Sequence, residues 1–122
     1  MSLKNPRHAT VVVRARAKRL KELAAADVFV GATLVRLMNK CGRKGCHCAT
    51  GEGHPTYYLK SSRKGKMITR YVSKDRLDEV RAWIREYKRV KRLVGEITDL
   101  TLELMAAEAK ARRKEKLRQR RR

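Results

Sequence analysis

From Val80 to Leu104 apolar residues recur in steps of three and four: Val80, Ile84, Tyr87, Val90, Val94, Ile97, Thr101 and Leu104. That period is the signature of one face of an α-helix. Trp83, Leu93, Leu100 and Met105 widen the stripe beyond a strict coiled-coil seam, with Lys91 and Thr98 beside it. Ser73 is placed to cap the helix, and Asp75, Asp78 and Glu79 in its first turn suit the positive end of the helix dipole. Continued from Ala106 to Arg122, where it turns polar on every side, a helix of about 40 residues would reach roughly 60 Å. So long an element overshoots a small domain. Part of its stripe must bury against the rest of the chain, and the remainder of residues 80–104 suits a homodimer or a larger protein partner.

Upstream, Ala9 to Ala26 reads as a second helix, with Val13, Ala17, Leu20 and Ala24 on one thin, Ala-rich face. Gly31 breaks that pattern, and Thr33 to Met38 reads as a short strand. Tyr57 to Lys60 and Met67 to Val72 are β-prone runs flanking Ser61 to Lys66, where Gly65 offers a positive-φ turn position, so they predict a hairpin. Alternation sets Tyr57 and Leu59 on one face and Tyr58, Lys60 and, across the hairpin, Arg70 on the other. The expected fold is α+β: an N-terminal helix, a small antiparallel sheet of a strand plus a hairpin, and a long C-terminal amphipathic helix. Residues 1–26 form a basic helical arm, 27–105 the hairpin and helix domain, and 106–122 a basic tail that extends the helix or is disordered.

Charge says what such a chain meets. Lys and Arg number 33 against 12 Asp and Glu, a net +21 over 122 residues. Net charges of +6, +2, +6, 0 and +7 fall on residues 1–23, 24–55, 56–74, 75–105 and 106–122. A neutral helical stretch thus separates strongly positive blocks, which points to a polyanionic partner. An anionic membrane fits least, because no run of about 18 apolar residues exists. The expectation is therefore a cytoplasmic protein, nucleoid-associated if the polyanion is DNA, whose cysteines are thiols or metal ligands.

Cys41, Cys46 and Cys48, with His47 and His54, lie among Gly42, Gly45, Gly51 and Gly53. Three thiols and an imidazole on a glycine-rich loop offer a tetrahedral soft-ligand set, for which zinc is the fitting metal. The best set is Cys41, Cys46, Cys48 and His54, because His47 sits between two ligands and its ring would have to point away. The alternative is a cluster of small buried thiols. Four protein ligands leave no open position for an activated water, so the ion would be structural, stapling strand to hairpin. Arg43 and Lys44 would then stand on a rigid loop, where a phosphate contact is held in register.

The run Cys-Gly-Arg-Lys-Gly-Cys-His-Cys, followed by Gly-Glu-Gly-His-Pro, Tyr-Tyr-Leu, Gly-Lys, Tyr-Val and an amphipathic helix, covers residues 33–105. It resembles a family of small bacterial and archaeal proteins of unknown function. That family's pattern is a Cys-Gly-Lys, Cys-x-Cys, Gly-Glu-x-His-Gly-Pro-Tyr-Tyr series, and its members look like zinc-binding, mobile-element-associated proteins. The resemblance implies that Cys41, Cys46, Cys48 and His54 are the matching ligands. The glycine that the family pattern has between His54 and Pro55 is missing here.

These readings predict a non-enzymatic, zinc-stapled protein that binds nucleic acid, duplex DNA before RNA. Arg43, Lys44, Lys60, Arg63, Lys64, Lys66 and Arg70 are the expected contacts near the ordered core, with Arg14, Arg16, Arg19, Arg112 and Arg113 tracking phosphates from the two arms. Structured RNA or a ribonucleoprotein is the second expectation, with Tyr57, Tyr58 and Tyr71 as candidate stackers. The third is an oligomeric assembly adaptor built on the long helix. No phosphate loop, Ser-His-Asp set or pocket-like pair of acids points to an enzyme.

Overall fold

The computed structural model describes residues 6–40, 42, 45, 51 and 53–121. Cys41, Arg43, Lys44, Cys46 and Cys48 lie outside the described residues. The elements are helix α1 (Pro6–Ala24), strands β1 (Thr33–Asn39), β2 (His54–Arg63) and β3 (Lys66–Val72), and helix α2 (Leu77–Arg121). This is the expected α+β order of a helix, a three-stranded antiparallel sheet and a long C-terminal helix. Two compact units divide it: Asp27–Lys88 form one, while the chain up to Ala26 and from Arg89 onward forms the other. The division at Lys88 falls inside the 27–105 span expected to act together. Among the described residues no helix is long and apolar enough to cross a membrane.

In the Asp27–Lys88 unit β2 is central, antiparallel to β1 on one side and β3 on the other. The β2–β3 connection is tighter than the six-residue loop expected from sequence. Only Lys64 and Gly65 stand outside the strands, at φ 51° and 76°, the positive pair that matches a twisted two-residue hairpin turn. That turn sets Arg63 opposite Lys66 and so Leu59 opposite Arg70. Directly paired residues share a face, so Arg70 lies with Leu59 and not, as expected, with Tyr58 and Lys60. A two-residue turn pairs residues of opposite parity; an odd-length loop would have produced the expected faces.

The face of Leu34, Tyr57, Leu59, Ile68 and Val72 is the covered one: Val72 is buried and the other four are half-buried. Leu34 lines a cleft with Ile84 of α2, and the 27–32 segment is tied in by hydrogen bonds from Val30 N to Trp83 O (3.2 Å) and from Ser61 Oγ to Gly31 O (2.7 Å). Phe29 packs on Tyr87 with ring centroids 6.2 Å apart. The other face is open, leaving Leu37, Met67 and Tyr71 exposed, with Tyr58 edge-on to Tyr71 at 6.0 Å.

Ser73 does begin the helical segment, through a 3-10 turn at Lys74–Arg76 that leads into α2. Its hydroxyl does not cap a backbone N–H. It donates instead to the Asp75 carboxylate, which this bond and the residue's own N–H hold below the ordinary aspartate value of 3.8. A depressed carboxylate adds stability above its unfolded value and loses it as pH falls through the folded one. Ser73→Ala should therefore move the Asp75 titration upward, towards 3.8, in an NMR pH series.

In the other unit α1 and α2 run antiparallel. His8 Nε2 meets Glu103 Oε1 at 2.9 Å, Arg16 Nη1 donates to Thr101 Oγ1 at 3.4 Å, and Arg19 Nε donates to Glu96 Oε2 at 3.2 Å. Val12 and Leu93 are buried, whereas Val13, Ala17, Leu20 and Ala24, the thin apolar face read from sequence, are exposed. The packed face of α1 is turned from the expected one because Glu96 and Glu103 accept the polar ends of Arg19 and His8. The Arg stems can then cover apolar surface as a core residue would. Beyond Met105 the tail continues as helix to Arg121. Within α2, Gly95 has open space where a Cβ would stand. Gly95→Ala should raise stability by about 0.5–1 kcal/mol, read from thermal and urea melts.

Candidate nucleic-acid interface

Pairing between β1 and β2 stops at Thr33 opposite Lys60, while β2 and β3 continue through Ser61–Ile68, Ser62–Met67 and Arg63–Lys66. The last three pairs therefore form a two-stranded ribbon without a third strand beside it. Arg63, Lys64 and Lys66 make its tip, all exposed, and no carboxylate lies between Thr56 and Lys74. Lys64 holds φ 51°, where Asn or Gly would sit with less strain, at the first position of the turn.

At the base of the ribbon two clefts adjoin through Ala32 and Thr33. One is lined by Leu34, Arg81, Ile84, Arg85 and Lys88, the other by Gly31, Val35, Lys60, Ser61, Ser62, Met67 and Tyr87. Four cations and no carboxylate line the pair. Arg81, Arg85 and Lys88 stand four and three residues apart, one row of a helix, so their charges add along a line. Of these, Arg81 has an acidic neighbour, Asp78 Oδ1 at 3.9 Å. Sequence reading missed this row because residues 75–105 sum to zero. The period that marks the apolar stripe was the available signal, since it also sorts the charges by face.

The remaining expected contacts are dispersed. Arg70 is exposed on edge strand β3, its Nη1 donating to Thr69 O at 3.3 Å. Arg14 is exposed on α1, and Arg112 and Arg113 are exposed on α2. Arg16 and Arg19 are half-buried and engaged by Thr101 and Glu96; Arg19 Nη1 also donates to Ala15 O at 3.1 Å. Arg43 and Lys44 lie outside the described residues.

Of the four expected zinc ligands His54 alone is among the described residues. It begins β2 directly opposite Asn39, the last residue of β1. The sheet therefore holds Asn39 and His54, on either side of the cysteine-bearing segment, next to each other. Gly53 makes the return at φ 93°, where a Cβ would come within 2.7 Å of Asn39 O, so no larger residue closes the loop this way.

No curated protein and no solved structure matches the chain. A match does exist at the level of families, to one described as a domain of unknown function, over residues 11–82. It takes in most of α1, the cysteine loop, the whole sheet and the start of α2, more than half of the chain. The protein belongs to that family, DUF6788.

Proposed function

We propose that this protein binds double-stranded DNA without catalysing a reaction, its β2–β3 ribbon entering the major groove while the groove of Lys60, Arg81, Arg85 and Lys88 lies along the phosphates. The observation that carries this reading is the basic ribbon extending past β1. A two-stranded ribbon fits the B-form major groove, whereas the A-form groove of duplex RNA is too narrow to admit it. With about six phosphate contacts, log affinity against log salt should slope near −5 on duplex DNA. A slope near zero would end the proposal. Structured RNA is the second reading, favoured by Tyr71, 67% exposed beside Tyr58 on the open sheet face, where a base could stack. Competition between duplex DNA and structured RNA of equal length separates the two.

Within the same reading Cys41, Cys46, Cys48 and His54 hold a structural zinc, which supplies cross-linking of the loop and no chemistry. Cys46→Ser should then lower bound zinc and thermal stability together, by about 5 °C or more in Tm, roughly 1 kcal/mol. Full zinc content in that variant, measured by metal analysis, would refute the ligand assignment.

A further inference from the structure

We propose that the open face of the sheet is a second binding surface, on which unpaired bases of a DNA strand stack against Tyr71 and Tyr58 while a neighbouring phosphate meets Lys60. Register fixes which side chains share that face. Val35 pairs with Tyr58 and Tyr58 with Tyr71, so one row of apolar side chains crosses all three strands. Thr33, Lys60 and Thr69 form the next row towards the ribbon, two residues or about 7 Å away, and Ser62 and Met67 form the one after. On the other side of the apolar row stand Leu37 and Thr56.

The chemistry of these rows suits a polynucleotide. Tyr71 is 67% exposed and edge-on to Tyr58, with ring centroids 6.0 Å apart, so its ring keeps a free face. Exposed rings beside cations hold bases of any sequence, because every base has a π-face. Neither β1 nor the stretch from Thr56 to Lys74 holds a carboxylate, so a phosphate meets no repulsion on its way to Lys60 or to Arg63, Lys64 and Lys66 at the ribbon tip. One apolar row between polar ones is too narrow for the buried core of a protein interface. A stacked base needs only a ring.

Space for a further base lies alongside. A cleft of about 540 Å³ opens next to the row, with Val35, Lys60, Ser62 and Met67 in its lining, and so combines apolar walls with an ammonium. The strand is DNA because this face continues into the ribbon, whose shape fits the B-form groove. That choice alone rests on the duplex reading; stacking on the tyrosines does not.

Fluorescence anisotropy of the full chain compares a labelled oligodeoxyuridylate of about 12 nucleotides with the same strand stripped of its bases, phosphates kept. The base-bearing strand should bind at least about tenfold tighter than the abasic one. Tyr71→Ala should bring that ratio below about threefold and leave the abasic affinity unchanged, while Tyr71→Phe keeps it. Should Tyr71→Ala lose its fold in circular dichroism, Tyr71→Thr, a strand former without a ring, takes its place with the same expectation. Equal binding of the two strands by the wild-type chain overturns the proposal. So does a base preference that survives in the folded variant without the ring, including the case where that variant has lost an oligomer formed by the wild type, which would give the face to a second copy. Oligouridylate of equal length bound more than about tenfold tighter than the deoxy strand overturns the choice of DNA. The salt slope on duplex DNA is a separate reading, so the ribbon and the platform fail independently.

Discussion

Replacing Arg63, Lys64 and Lys66 together by Ala should lower affinity for duplex DNA several-hundred-fold at about 0.1 M salt and flatten the salt slope from about −5 to about −3. Each residue is exposed at the ribbon tip, so the triple variant should keep its fold, with single exposed changes usually worth within about 0.5 kcal/mol. The slope is the decisive readout because it counts displaced counterions, whereas affinity alone also falls when a protein is partly unfolded. Arg19→Ala is the contrast: its guanidinium is held by Glu96 and Ala15 O, so affinity should change by less than about threefold. An unaltered slope in the triple variant would take the ribbon off the phosphates.

Leu93→Ala should cost about 3 kcal/mol, the usual range for a fully buried leucine being about 2–5. Leu93 is 1% exposed, and Val12, Val72 and Val80 are the other buried apolar residues among those described. With so few, no neighbouring side chain can take over the packing that Leu93 provides. A fall in Tm of about 10 °C or more should follow, while Leu117→Ala, at an exposed site, should leave Tm nearly unchanged. A Leu93→Ala variant that melts with the parent would mean that the helix pair contributes little to stability.

Elements whose signal is local were readable from sequence. The stripe from Val80 to Leu104 marks α2, the β-prone runs around Gly65 mark the hairpin, and Ser73 and the acids after it mark the helix start. What escaped depends on partners distant in sequence. The packed face of α1 was misjudged because hydrophobicity was counted within one helix, while Glu96 and Glu103, far along the chain, make Arg19 and His8 acceptable there. The face of Arg70 was misassigned even though the expected and observed loops are both even and so set it with Tyr57 and Leu59, and a lysine at φ 51° hid the tight turn that composition would have announced with Asn-Gly. Arg81, Arg85 and Lys88 were visible letter by letter, yet their meaning needed Ala32 and Thr33 to be brought beside them.

The pairing of Arg63 with Lys66 also bears on how such a hairpin can vary through descent. Growth by whole cross-strand pairs lengthens the arm and leaves Leu59 and Val72 turned inward. A single inserted residue at the tip, unless absorbed as a bulge, would invert one strand and present its charges to the core. Length variants that survive should therefore differ by even numbers, giving longer or shorter reach with the same inner surface.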